Sequence, residues 1–432
     1  MEKYASYAND LERLALSLIR NPNSFGIYKK SVLSALNGGP GKALRKIIPA
    51  TQLKRTGTFF TGEKLASLVT DKLGPGVNSG TFFDPACGAG DLLISVARQL
   101  PLRGSLSDTL ISWGQQLYGY DVHKEFVRAT KLRLVLTALE RGDSQFTCMQ
   151  VGPSDDYFPH VRIANGLKSV ESYSVSSHIV INPPFYPMQV SKDCRWAGGK
   201  VSAAALFLDA CVTKARPGTK IVAILPDVLR SGTFYQHWRE NISARALIND
   251  IYLFGQFDQW TDVDVFVISL TVLESPDEKS IVRAWWKTEY KTKKIGDFFD
   301  VSVGPVVPFR DPEEGREYDY LQPKNLPKWQ TVRNIFERRR YLGKVLKPPF
   351  VVVRRNSRFD DEYRATATII ATRNRVAVEN HLVVLRPKDG KIKTCQKLIE
   401  VLHSVETNAW LNQRIRCRHL TIPAIREIPW QD

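Results

Sequence analysis

Apolar positions recur along the chain in two alternating rhythms. Leu11, Leu14, Ala15 and Leu18 fall at helical spacing, and the first 50 residues read as helical up to the turn Gly38-Gly39-Pro40-Gly41. From there, short β-branched or aromatic runs alternate with longer amphipathic stretches. Strands are predicted over residues 81–86, 116–122, 146–151, 178–181, 220–226, 248–253 and 263–273. Helices are predicted over 91–100, 125–141, 202–215 and 235–246. Such alternation implies an α/β domain built on a mainly parallel, doubly wound, Rossmann-like sheet with helices on both faces. The last two strands follow one another with no helix between them, so they are predicted to form an antiparallel pair at one sheet edge.

Beyond about residue 280 the rhythm changes. Prolines cluster at 305, 308, 312, 323, 327, 348 and 349, and strands are predicted over 350–354 and 381–385. Three segments follow: an N-terminal helical stretch over 1–50, the α/β domain over 51–275 and a mixed or β-rich domain over 276–432. With 43% hydrophobic and 24% charged residues, disordered, fibrous and collagenous classes are excluded. The net charge of +17 is unevenly spread: residues 321–432 hold 23 basic against 10 acidic side chains, leaving +4 for the first 320. A basic block of this kind steers a polyanion, and nucleic acid fits better than a membrane because no amphipathic lipid-binding helix accompanies it. The six cysteines form no CxxC pair, so neither a disulfide scaffold nor a metal site is indicated. A charged start without an apolar signal core, and no apolar run of spanning length, point to a reducing cytoplasm with no membrane association.

The chemistry gathers at the ends of successive strands. Asp84-Pro85-Ala86-Cys87-Gly88-Ala89-Gly90 sits where the first strand ends and a helix begins; glycines there allow a tight turn close to a ligand, and an acid can contact a polar ligand group. It is neither the GxGxxG of dinucleotide enzymes nor a P-loop. Asp121, followed by Val122, ends the second strand, where a carboxylate can accept from two ribose hydroxyls. It follows Gly90 by 31 residues, a spacing lengthened by an insertion over 101–112. After the third strand comes Ser154-Asp155-Asp156, where one carboxylate could reach an adenine amino group; the spacing leaves open which, and Asp156 is carried forward. Asn182-Pro183-Pro184-Phe185 follows the fourth strand. Its prolines fix the backbone, so the Pro183 carbonyl and the Asn182 oxygen form two nearby acceptors suited to a planar NH2 group, and Phe185 offers a face for a stacked base. Arg338-Arg339-Arg340 and Arg354-Arg355 are candidate phosphate contacts, and residues 186–200 read as a mobile loop that orders against DNA.

In this order the motifs resemble those of S-adenosylmethionine-dependent N6-adenine DNA methyltransferases in the gamma arrangement, with a target recognition domain at the end. Thr56-Gly57-Thr58-Phe59-Phe60-Thr61 resembles the family's N-terminal cofactor motif, with Gly62 in place of the usual proline. The resemblance implies cofactor contacts from Thr58, Phe59, Thr61, Asp84, Pro85, Ala86, Gly88, Asp121, Val122, Asp156 and Asn182, and catalysis by Asn182, Pro183, Pro184 and Phe185. It implies double-stranded DNA as substrate, S-adenosylmethionine as cofactor without a metal, and leaves room for a specificity or restriction partner subunit. Related turns also serve RNA adenine and protein glutamine methyltransferases, and a noncatalytic DNA-binding subunit could retain the fold. The basic C-terminal block favours DNA, and the intact acidic turn and NPPF favour catalysis. A nuclease site at Pro276-Asp277-Glu278-Lys279 is discounted, since that turn lacks a surrounding core.

Overall fold

The computed structural model describes residues 4–21, 24–49, 60–74, 77–142, 146, 156–258, 260–276, 285–286 and 293–430. The chain divides into two compact units: Met1–Pro226 with His237–Val282, and Asp227–Gln236 with Arg283–Asp432.

The first unit contains β1 (Phe82–Asp84), β2 (Leu117–Asp121), β3 (Val161–Ile163), β4 (His178–Ile181), β5 (Pro187–Gln189), β6 (Lys200–Ser202), β7 (Lys220–Pro226), β8 (Ala246–Asp258) and β9 (Thr261–Val272). Seven of these form one sheet in the order β3-β2-β1-β4-β7-β9-β8. The members β3, β2, β1, β4 and β7 are parallel, and β9 runs antiparallel to both β7 and β8. The antiparallel pair expected at one sheet edge is thus present as β9 and β8, with β9, the strand that runs against the rest, penultimate and β8 outermost. Burial explains the order: Val265, Phe266, Val267, Ile268 and Leu270 of β9 are all buried, whereas β8 alternates between buried and exposed positions and suits an edge.

Two other expectations change. The strand predicted over 146–151 lies, apart from Phe146, outside the described residues, and the third parallel strand is β3. The 101–112 insertion carries part of an unforeseen helix, Leu106–Gln116, capped by Ser105 Oγ on the Asp108 amide at 3.1 Å; its buried Trp113 donates to the Pro101 carbonyl at 3.1 Å. The N-terminal segment is part of the first unit. Helix Ala5–Arg20 places Leu11, Ala15 and Leu18 in the same core as Phe126 and Leu134 of helix Lys124–Arg141, and Arg128 bonds Glu12 and Asn9, both at 2.7 Å. The expected mobile loop at 186–200 instead contains a ribbon in which β5 and β6 pair antiparallel, with Val190 and Trp196 buried.

The second unit contains β10 (Phe299–Val303), β11 (Arg316–Leu321), β12 (Thr331–Val332), β13 (Arg338–Tyr341), β14 (Phe350–Arg354), β15 (Ala367–Ile370), β16 (Val376–Val378) and β17 (Leu382–Pro387). They build a five-stranded sheet, β10-β17-β14-β15-β12, and a three-stranded sheet, β13-β11-β16. Cys395, Leu398 and Leu402 of helix Ile392–Leu402 and Leu411 of helix Val405–Arg414 share a core with Val351 and Val353 of β14. Residues 227–236 belong here because the buried Asp227 accepts from the Arg416 amide at 2.9 Å and Arg230 donates to the Gln413 carbonyl at 2.7 Å. The arginine run is only partly available: Arg339 is buried against Glu313 at 2.8 Å, Arg338 pairs with Asp319, and Arg340 is exposed. Among the described residues no helix is long and apolar enough to cross a membrane, and no group of three metal-ligating side chains occurs.

Candidate active site

A cavity of about 460 Å³ opens at the carboxyl ends of β1, β2 and β4. Thr61, Asp84, Pro85, Ala86 and Gly88 line it, joined by Asp121, Val122, Asn182 and Pro184. Four segments separated by up to about 120 residues of sequence, each expected to carry chemistry, thus meet in one wall. Parallel topology causes this, since every strand delivers its following turn to the same sheet edge.

The turn after β1 is built to fold back on itself. The buried Asp84 carboxylate accepts from the Ala86 amide at 3.0 Å, and the Cys87 amide donates to the Tyr120 carbonyl at 2.9 Å. Gly88 and Gly90 have φ of +53° and +87°, and a Cβ at Gly90 would lie 2.7 Å from Thr130 Cγ2. Gly90→Ala is therefore expected to destabilise the first unit by about 1 to 3 kcal/mol, whereas Gly26→Ala, in a helix with open space around it, is expected to stabilise it slightly. Thermal denaturation of both variants checks the opposite signs.

Asp121 accepts from the His123 amide at 2.8 Å and the Gly88 amide at 3.2 Å, so one carboxylate joins the ends of β1 and β2. Burial pushes the Asp84 carboxyl well above the usual carboxylate range, the Ala86 bond opposes this, and the nearby Asp121 and Asp91 add to it. Burial likewise raises Asp121, against the hydrogen bond from His123. Asp91 is raised by burial and lowered by Arg133, whose Nη1 lies 2.8 Å away, and by a bond from the Thr61 backbone. Of the three acids, Asp91 alone is paired with Arg133, while Asp84 and Asp121 are held by backbone amides.

The Asn182 Nδ2 donates to Thr61 Oγ1 at 2.8 Å, which fixes the amide and leaves Oδ1 with no protein donor among the described residues. Pro183 is buried. Phe185 is half-buried beside the cavity, edge-to-face with Phe257 at 5.8 Å and 84°. Phe257 was not foreseen; its only sequence signal is an aromatic near the end of a long strand. Arg133 was also missed, because its position within helix Lys124–Arg141 reads as an ordinary surface cation.

Thr58 and Phe59 lie outside the described residues; their neighbour Phe60 lines the cavity and packs edge-to-face on Phe126 at 5.1 Å. Asp156 is not brought into the wall: Lys131 holds its carboxylate at 2.7 Å, and Ala164, Asn165, Gly166 and Leu167 after β3 occupy the wall instead. The reason is the position of β3, which leaves Asp156 before the strand and Asn165 just beyond its carboxyl end. Gly166 packs flat on Pro85, whose carbonyl a Cβ would overlap.

A sheet in this order with an antiparallel penultimate strand, carrying an acidic glycine-rich turn after β1 and Asn-Pro-Pro-Phe after β4, is a Rossmann-like methyltransferase fold. The model of the N-6 DNA methylase family matches residues 44–271, more than half of the chain, and the protein belongs to that family. It is 28% identical over 148 residues to the Type I restriction enzyme MjaIX methylase subunit of Methanocaldococcus jannaschii, a match covering 34% of this chain and 21% of that protein. Among solved structures it is similar to the Type IIL restriction-modification enzyme MmeI in complex with DNA, with TM-score 0.53, 13% identity, and coverage of 90% of this chain and 66% of that one. It is also similar to the Type I restriction enzyme EcoKI M protein, with TM-score 0.39, 16% identity, and coverage of 51% and 46%. The chain spans less than two thirds of the length of each of these relatives.

Proposed function

We propose that the protein transfers a methyl group from S-adenosylmethionine to the N6 amino nitrogen of an adenine extruded from duplex DNA. The observation that carries this reading is Asn182 Oδ1, an acceptor without a protein donor among the described residues, at the wall of a cavity that also holds Asp84 and Asp121. Asp84, Asp91 and Asp121 line the cavity, where a sulfonium cation would favour their ionised forms, and Asp121 is assigned to the ribose hydroxyls. When bound, the cofactor would supply an electrophilic methyl group whose departure from sulfur neutralises that charge, so the step calls for no Lewis acid. Asn182 Oδ1 and the Pro183 carbonyl accept from the two N6–H groups. This draws the nitrogen lone pair out of conjugation with the ring and aims it at the methyl group; as the nitrogen–carbon bond forms the sulfur–carbon bond would break, and the nitrogen sheds its surplus proton to water. Phe185 supplies a stacking face that offsets part of the few kcal/mol spent in extrusion. Asn165, rather than Asp156, is assigned to the adenine end of the cofactor.

The second unit is assigned to the duplex, on the strength of the +13 carried by residues 321–432. A separate specificity or restriction subunit is compatible with this division. The test is to incubate the protein with labelled S-adenosylmethionine and, separately, duplex DNA, RNA and protein. Label on N6 of adenine in DNA supports the proposal; label confined to RNA or to a glutamine amide sinks it.

Ligand affinity should depend on pH. A ribose diol donates best to an ionised Asp121, and burial raises that carboxyl, so affinity is expected to fall on acidification, beginning at a higher pH than an ordinary aspartate would give. The unliganded unit has the opposite sign: a raised carboxyl stabilises the fold below its unfolded value and loses that contribution as pH rises through its folded value. Asp121→Asn is expected to weaken cofactor binding about 10- to 100-fold and to flatten the profile, which calorimetric titration at several pH values would measure.

A further inference from the structure

The β8–β9 hairpin extends past the sheet. The last pair joining β7 to β9 is Pro226 with Val265, so residues 254–258 and 261–264 project beyond the carboxyl edge at which the cavity opens. The projection is braced near its tip. Phe257 packs on Phe185, while the Asp258 carboxylate accepts from the Trp260 amide at 2.8 Å and the Thr261 amide at 2.6 Å. Trp260, whose amide donates to that carboxylate, keeps half of its surface, 51%, in solvent.

Cations lie along this projection. Arg45 stands over the Trp260 ring at 5.9 Å, and Lys64, three residues after Thr61, stands over Phe254 at 5.7 Å. A third pair, Lys72 over Tyr252 at 5.8 Å, is neutralised by Asp250 at 2.6 Å and so contributes little attraction for an anion. Arg45 and Lys64 are exposed and have no acidic partner among the described residues. Helix Gly39–Ile47, which carries Arg45, also carries Lys42 and Lys46 and no acidic residue. Interleaved cations and aromatic rings beside a site for an extruded base are the features that hold a nucleic-acid strand with unstacked bases.

We infer that the first unit carries its own DNA contact surface, with Arg45 and Lys64 on backbone phosphates and Trp260 stacked on a base next to the extruded adenine. The inference rests on the DNA reading above and adds a contact outside the basic C-terminal block. An acidic protein partner would suit the cations but gives Trp260 no flat ring to stack on.

The test uses the full chain and a fluorescent duplex known to be methylated by it, with binding followed by anisotropy over a salt series. Arg45→Ala with Lys64→Ala is expected to lower affinity about tenfold and to reduce the slope of log affinity against log salt by about 2, while Arg45→Lys with Lys64→Arg keeps the slope. Trp260→Ala is expected to lower affinity about tenfold with the slope unchanged. S-adenosylmethionine affinity, measured in parallel, is expected to stay within twofold in all variants and serves as the folding check. An unchanged slope in the double alanine variant, with wild-type protein methylating the duplex, overturns this surface alone. A wild-type protein that binds S-adenosylmethionine yet methylates no DNA overturns the proposed function and this surface together.

Discussion

Asn182→Ala is expected to slow methyl transfer about 10²- to 10³-fold while the protein stays folded and binds S-adenosylmethionine within a few-fold of wild type. The Asn182 side chain makes one described hydrogen bond within the protein, from Nδ2 to Thr61 Oγ1, so truncation removes little that holds the fold. What it removes is an acceptor for the target amino group, and with it the preorganised pull that turns a conjugated amine into a nucleophile. Asn182→Asp keeps an oxygen in place but loses the donor to Thr61, so it should retain more activity than alanine and less than asparagine. Thr61→Val isolates the positioning part. It leaves both acceptors and frees the amide to rotate, with an expected loss of about tenfold. Single-turnover transfer of labelled methyl to duplex DNA measures all three. Equal rates for wild type and Asn182→Ala would remove Asn182 from the mechanism.

The ease with which this site could be read along the chain comes from topology. A parallel sheet sends each strand's carboxyl end to one edge, so Asp84, Asp121 and Asn182 could be assigned to one site from strand endings alone, and β4 and β7 have the predicted bounds. Hydrophobic period does not encode strand order, which depends on which strand is buried on both faces. The antiparallel pair at the edge was legible, but that β9 lies inside β8 was not. Asp156 illustrates a second limit: the strand predicted before it lies outside the described residues, and β3 begins only after it, so the carboxylate faces Lys131. The ribbon at 187–202 was read as a loop because its strands are three residues long, too short for alternation to register, although buried Val190 and Trp196 hold it. Phe257 and Trp260 acquire meaning only from the length by which β8 and β9 outrun β7, a quantity that pairing defines and sequence does not.

Arg133→Met is expected to destabilise the first unit by about 3 to 5 kcal/mol, the largest stability effect anticipated for a residue outside the cavity wall. Arg133 is fully buried, and its guanidinium is shared among four acceptors. Nε donates to the Ala35 carbonyl at 2.9 Å and Nη2 to the Leu36 carbonyl at 2.9 Å, while Nη1 donates to the Ala89 carbonyl and pairs with Asp91 at 2.8 Å. Ala35 and Leu36 end helix Phe25–Leu36, so their carbonyls have no partner within that helix; Asp91 begins helix Asp91–Ala97 directly after the glycine-rich turn. One side chain therefore closes a helix end, anchors the turn that lines the cavity and compensates a buried carboxylate. Methionine keeps the volume and abandons all four acceptors. Lysine keeps the charge but not the planar fork, and should lose roughly half as much. Adding Asp91→Asn to Arg133→Met removes the orphaned charge and should recover part of the loss, because an unpaired buried ion costs more than a missing pair. Urea denaturation read by tryptophan fluorescence gives the ordering. If Arg133→Met matched wild type within about 0.5 kcal/mol, the guanidinium would be dispensable to the turn, and the link between the N-terminal helices and the cavity wall would have to come from packing alone.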